Sequence, residues 1–588
     1  MQLAGIPGIA RTRKLWLPTG WQAVRRIEWP VAGLVLAAGF ALWRVGWNLA
    51  HPHDLFLDSW VLVHIMRVLD GDADPLPRSV LTLQYPLAYL PFVPFAKIFG
   101  PFATVKVIYA VAACLAAVPS YMLVRRGPMP AMGAVAILFI PDVVAKSLTG
   151  TPQGIAFPLF LLALYFALRR RRLPFVIAAT AVLFTHHLTG LVTMVLYYAT
   201  MVVPDVRNQG FLRREWPYLV YFGAWPFWWA WTFSNIDQSY LGPMMLVLVV
   251  GIGLPLAFIA YAAAPWLRSA VERSGERIAS RGVLPVVVTT LAFAAISWLL
   301  AGAVVDSPGL SSSAIANRTV VAVYGAALAL GFAAALARKD VALTSFILAL
   351  LALGAATVLT GCQRVFDGLR LADFAAAGSL VALFAPASIV FAPASSAARW
   401  VRRPLLVAIA VLLIAAGLLR MQSGYERLFA HTEGQAAAAR WISENLPAKT
   451  SIATDTKMSL MVLGAGDHNA TFEGTWWLFS GEPISPYVAA LNRSGNFKQR
   501  PVEYALLADY MFDRGAEVAW FVPARLPDPG LTRELDDLGE RVYDQDGITI
   551  WKLDGGSIAR AAGPAAGSVS FNAGLPPGRL ALFGGLCR

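Results

Sequence analysis

The chain has 588 residues, of which 57% are hydrophobic and 14% charged, and its formal net charge is +13. A soluble domain carries about 25% charged residues, so this composition excludes an ordinary soluble protein and indicates a polytopic membrane protein. The basic residues sit in short tracts at segment ends, such as Arg169-Arg170-Arg171-Arg172 and Arg402-Arg403, which is the pattern of cytoplasmic anchors and argues against nucleic acid as a partner.

Residues 1–29 read as a cytoplasmic segment carrying Arg11, Arg13, Lys14, Arg25 and Arg26. The apolar run after it has no small-residue cleavage pattern and reads as a retained first span. Apolar length and Lys/Arg bias then place spans at about 30–49, 101–124, 128–145 and 152–168, with a large outer loop at 50–100. The apolar stretch from Leu173 to Val203 is interrupted by Thr185-His186-His187-Leu188-Thr189-Gly190. The charge rule favours two short spans meeting at the histidines, which keeps Arg207, Arg213 and Arg214 inside. Further spans follow at about 217–233, 242–265, 283–305, 319–337, 341–360, 371–393 and 404–419, with a basic cytoplasmic loop holding Arg268, Arg273, Arg277 and Arg281.

The expected fold is therefore an all-α polytopic membrane domain of about 13 transmembrane helices over 30–421, followed by a small α/β soluble domain at 422–554 on the outer side. In that domain Gln435 to Leu446 reads as an amphipathic helix, Ser451 to Thr454 and Val518 to Val522 as strands, and Asp546-Gly547 as a hairpin turn. Residues 555–588, rich in Gly, Ala, Ser and Pro, read as a disordered tail. Cys114, Cys362 and Cys587 form no CxxC or Cys/His pattern, which leaves no disulfide framework or zinc finger to expect. The expected location is the inner (plasma) membrane, with the N-terminus cytoplasmic and the C-terminal domain extracytoplasmic.

Polarity is costly at bilayer depth, so the acids and imidazoles gathered at one membrane face are the candidate site. His51-Pro52-His53-Asp54-Leu55-Phe56-Leu57-Asp58 and His64 follow the first span. If Asp54 to Val68 is helical, Asp54 and Asp58 share a face and can bind a divalent cation, or one can act as a general base beside the other. The alternative is a solvated interfacial helix with an Asp cap. His186-His187 at a hairpin tip suit phosphate binding or proton transfer, or simple bundle packing. Asp142 and Lys146 lie at the outer end of the third span, and Arg364 and Arg370 flank an outer loop. Outer cations run against the positive-inside bias, and a lipid phosphate or pyrophosphate would account for them, as would ordinary headgroup contact. Trp476 and Trp477 could stack on sugar, dip into the membrane surface or pack against it.

Leu57-Asp58-Ser59-Trp60 with Val63-His64, Gln84-Tyr85-Pro86-Leu87, and Lys146-Ser147-Leu148-Thr149-Gly150-Thr151-Pro152 together resemble segments of the GT-C glycosyltransferases, integral-membrane enzymes that take sugar from a polyprenyl-phosphate carrier. Thirteen spans with an outer C-terminal domain are similar to oligosaccharyltransferase catalytic subunits. Those subunits carry acids where this chain has Thr151-Pro152-Gln153, and Trp-Trp-Asp-Tyr-Gly where it has Trp476-Trp477-Leu478-Phe479-Ser480. The resemblance therefore implies inverting transfer to a cell-envelope glycan, lipid or protein acceptor, without sequon recognition. It implies Asp58 as base, with Asp54 as the alternative. His186, His187, His64, Lys146, Arg364, Arg370, Trp476 and Trp477 are the implied substrate-binding residues. No cofactor is required by any motif; a divalent cation, Mg²⁺ or Mn²⁺, is the candidate, with Asp54, Asp58 and Asp142 as its carboxylates. A transporter or flippase of lipid-linked sugars is the alternative reading, and a non-catalytic scaffold subunit a third.

Overall fold

The computed structural model describes residues 19–55, 57–72, 85–140, 143–144, 150–205, 208, 210–236, 254–281, 284–304, 312–359, 368–384, 404, 406–419, 421, 430–447, 450–466, 468–470, 502–516 and 526–555. These form a large helical body and a small mixed sheet.

The helical body opens with α1 (Thr19–Ala50), α2 (Leu57–Asp70), α3 (Pro86–Phe99) and α4 (Pro101–Val124). It continues through α5 (Pro130–Leu138), α6 (Pro152–Leu168), α7 (Arg172–Leu183), α8 (His187–Val202) and α9 (Phe211–Ile236). Then come α10 (Leu254–Arg281), α11 (Leu284–Val304), α12 (Ser312–Ala337), α13 (Val341–Leu359), α14 (Gly368–Phe384) and α15 (Leu406–Leu419). Parts of α1, α4 and α12, at Val31–Ala50, Pro101–Val124 and Arg318–Ala337, are long and apolar enough to cross a membrane. Several others are apolar but shorter. The 12 residues of α7 rise only about 18 Å, against a hydrocarbon core of about 30 Å.

The apolar interruption at His186 is a true break. The α7 helix ends at Leu183, α8 begins at His187, and the two run antiparallel beside α6. Within the third expected span α5 stops at Leu138, and the chain is helical again at 143–144, where Val144 N–H donates to Ile140 O at 2.8 Å; residues 141–142 lie outside the described residues. The basic segment Arg268–Arg281 is not a loop but the second half of α10. Its charges lie at helical spacing, with Arg268 and Glu272 paired at 3.2 Å, and Lys339 reaches Glu276 at 2.9 Å from the α12–α13 turn.

The C-terminal layer holds α16 (Glu433–Asn445), β1 (Ser451–Ala453), α17 (Thr456–Ala465), β2 (Asn469–Ala470) and β3 (Tyr504–Ala508). It ends with α18 (Asp509–Arg514), α19 (Leu531–Leu538), β4 (Gly539–Gln545) and β5 (Ile548–Leu553). The strand order is β2-β1-β3-β5-β4; β1 pairs parallel with β2 and β3, and β5 pairs antiparallel with β3 and β4. Asp546 and Gly547 have φ of 52° and 72°, the conformation a two-residue hairpin needs. Thr432 and Gln435 close a reciprocal cap on α16. The segment Val518 to Val522 and the tail after Gly555 lie outside the described residues.

The two layers are not merely tethered. Leu55, Trp60, Leu62, Val63, Ile65 and Met66 of the first loop share one apolar core with α16, α17 and the sheet. The two layers approach tightly at Gly464 of α17, where an added Cβ would come within 2.6 Å of the Trp60 ring. Only a residue without a side chain lets α2 lie against α17 at that distance.

Candidate functional site

The segment after α1 turns at His51–Asp54, with the Asp54 N–H donating to His51 O at 3.2 Å. Asp54 stands before α2, which starts at Leu57, so the expectation that Asp54 and Asp58 share one helical face is wrong. Pro52 cannot donate a backbone hydrogen bond, and the loop is held instead by a side chain from below. Lys106 of α4, itself 5% exposed, donates through Nζ to the carbonyls of His51, Pro52 and Asp54, the latter two at 2.8 Å. It sits in a π-type widening at Thr104–Ile108, and Asn48 of α1 donates to its carbonyl at 2.7 Å.

Asp54 is buried, and its carboxylate accepts the backbone N–H of His431 at 2.8 Å. Burial raises its pKa above the ordinary carboxylate value; the His431 N–H and the charges of Lys106, His51 and Lys457 offset part of that rise. Asp54 is thus the clasp between the first loop and the C-terminal layer. Cationic neighbours and an occupied oxygen do not suit a divalent ion at Asp54. Among the described residues, no group of three or more His, Cys, Asp or Glu side chains could hold a metal ion. Asp142 lies outside the described residues. The backbone of Asp58 lies in the first turn of α2, and its side chain is outside them.

Ser59, the next residue, donates to Gly150 O at 2.6 Å. Gly150 N–H donates in turn to Val105 O at 3.1 Å, and a Cβ at Gly150 would lie 2.7 Å from that oxygen. Thr151 then caps α6 by accepting Gly154 N–H at 3.0 Å. So α2, α4 and α6 converge within one residue of Asp58.

The histidine pair closes the other side. His186 caps α8: its Nδ1 accepts Thr189 N–H at 3.3 Å and lies 2.9 Å from Thr189 Oγ1. That contact leaves Nε2 as the protonated nitrogen of the neutral ring, a donor suited to an anion. His187 Nδ1 lies 2.8 Å from the buried Tyr85 hydroxyl, and the two imidazoles are 4.9 Å apart between centroids. Burial holds the Tyr85 phenol well above its ordinary pKa, so it remains a neutral hydroxyl. Leu87 N–H donates to Phe184 O at 3.1 Å, and Tyr109 of α4 donates to Ala88 O, which fixes α3 between α4 and the histidine turn. His64 is buried on α2, in the wall of the same core, rather than open to a substrate.

The structure therefore brings together the first loop, the Tyr85–Leu87 segment, Gly150-Thr151 and His186-His187 at one end of the helical body. Sequence reading missed Lys106, Tyr85 as a partner of His187, and His431. Lys106 carried a signal: a lysine inside an apolar run is costly and needs a reason. Arg370 is in the first turn of α14 with its side chain outside the described residues, and Lys146, Arg364, Trp476 and Trp477 lie outside them altogether. No protein-family model matches the chain, and no curated protein matches its sequence.

Proposed function

We propose that the protein is a GT-C-type membrane glycosyltransferase that moves a sugar from a polyprenyl-phosphate carrier to an envelope acceptor at the outer face of the plasma membrane. On this reading the chain makes thirteen crossings, with the acidic loop, the histidine turn and the α/β layer on the outside. The observation that carries the proposal is the junction itself. Two segments with a GT-C-like sequence, far apart in the chain, are joined by the Ser59–Gly150 hydrogen bond, and the Tyr85-Pro86-Leu87 segment, whose Tyr85 lies against His187, packs on both α2 and α6. Asp58, one residue before Ser59 in the first turn of α2, is the carboxylate this reading assigns to the reaction.

In the proposed reaction Asp58 takes the proton of an acceptor hydroxyl. The acceptor oxygen bonds to the anomeric carbon from the face opposite the phosphate, the carbon–oxygen bond to phosphate breaks, and the configuration inverts. The lipid phosphate leaves with the bonding electron pair. His186 and His187, with Lys146 and Arg364 or Arg370, stabilise its charge. Asp54, already engaged by His431, acts as a positioning residue rather than the base. Purified protein given a polyprenyl-phosphate sugar and candidate acceptors tests this. Transfer is expected, and Asp58→Asn abolishes it while the protein stays folded. Transbilayer movement of the donor without transfer would instead support a flippase, and full activity of Asp58→Asn would remove that residue from the mechanism.

A further inference from the structure

The far end of α6, α7 and α8 carries a second organised charge cluster that the proposed reaction does not use. At the α6–α7 turn and the start of α9 stand six arginines, Arg169–Arg172, Arg213 and Arg214, against two carboxylates, Asp205 and Glu215. Glu215 is fully buried and takes Arg172 Nη2 at 2.5 Å and Arg214 Nε at 2.8 Å. Asp205 takes Arg170 Nη1 at 2.9 Å and Arg214 Nη2 at 3.1 Å. The two acids thus fix three arginines in one chain of ion pairs, and the turn is kept tight by Arg170 at a φ of 53°.

The remaining three arginines are the working surplus. Arg169, Arg171 and Arg213 are exposed, and among the described residues neither Arg171 nor Arg213 has an ion-pair partner. Beside them, Leu173 is 66% and Trp216 is 58% exposed. Uncompensated guanidinium groups next to bare aliphatic and indole surface match an amphiphile with a negative head, not a free anion. We propose that this face binds the anionic headgroup of a membrane phospholipid, with Arg171 and Arg213 on the phosphate and Leu173 and Trp216 against its upper chains.

The test uses full-length protein in neutral detergent, with bound lipid counted by native mass spectrometry during titration with phosphatidylglycerol or phosphatidylcholine. Wild type is expected to prefer phosphatidylglycerol. Arg171→Gln with Arg213→Gln spares the ion-pair chain and should weaken that lipid on the order of thirtyfold, leaving phosphatidylcholine unchanged. Size-exclusion elution of the variant should match wild type. Unchanged affinity would overturn the site. So would an equal loss in Arg273→Gln with Arg277→Gln, exposed arginines on α10, or displacement of the lipid by inorganic phosphate at matched concentration. The readout does not depend on sugar transfer.

Discussion

Asp54 and His431 are 377 positions apart, yet the carboxylate of one accepts the backbone N–H of the other at 2.8 Å. This bond ties the loop after the first helix to the entry of the C-terminal layer. It also decides what Asp54 can do. A carboxylate engaged in docking the two layers is a poor base, so in the proposed reaction that role falls to Asp58.

The two substitutions of Asp54 should separate its charge from its bond. Asp54→Asn keeps an oxygen for the His431 N–H and removes a buried charge. Asp54→Ala leaves that N–H unpaired and should cost about 1–3 kcal/mol of stability. Because burial raises the Asp54 pKa, the protonated form is favoured in the docked state. Its contribution is whole below the ordinary carboxylate pKa and fades as pH rises through that value towards the docked-state pKa. The melting temperature of Asp54→Asn should therefore gain on wild type across that window, from about pH 4 upward. A constant difference at every pH would mean that the charge is not buried.

Gly464 sets the distance between α2 and α17. A Cβ there would meet the Trp60 ring at 2.6 Å and the Trp60 carbonyl at 2.8 Å. Gly464→Val should wedge the layers apart at a cost of about 1–3 kcal/mol, and limited proteolysis should then cut between α15 and α16 faster than in wild type. Equal cleavage rates would show that the contact is not close.

Tyr85→Phe retains the ring against His187 and removes the hydroxyl. Stability should fall by about 1 kcal/mol, the net worth of one hydrogen bond. If His187 steadies the leaving phosphate, transfer should fall about tenfold with a displaced pH profile. A loss of stability with no change in pH profile would assign Tyr85 to packing alone.

Much of this was legible in the sequence. Hydropathy anticipated the mostly helical body, three segments of which are long and apolar enough to cross a membrane, but not the helix at 86–99 inside the expected outer loop. The break at His186 followed from the position of Arg207, Arg213 and Arg214. What the sequence did not carry was the third dimension of the site. Asp54 and Asp58 looked like an i, i+4 pair because helical spacing was assumed through a turn that Lys106 in fact holds from another helix. His431 has no local pattern at all: its role exists only because α16 begins next to the first loop. The Arg268–Arg281 helix was misread because hydropathy falls where a helix leaves apolar surroundings, although its hydrogen bonding continues.

Lys106 makes that point testable. Lys106→Met would remove the charged donor shared by three loop carbonyls, leaving His51 O with only the Asp54 N–H, at about 1.5–3 kcal/mol for each bond to a charged donor. Folded yield should collapse, while Lys106→Arg should recover part of it.

Sided labelling of single cysteines tests the centre of the account, in a background where Cys114, Cys362 and Cys587 are replaced by serine. Pro52→Cys reports on the first loop, Leu87→Cys on the segment against the histidine turn, and Arg171→Cys on the opposite end of α6 and α7. The account requires an impermeant maleimide to reach the first two in intact cells and the third only after permeabilisation. Labelling of positions 52 and 87 from opposite sides would contradict it.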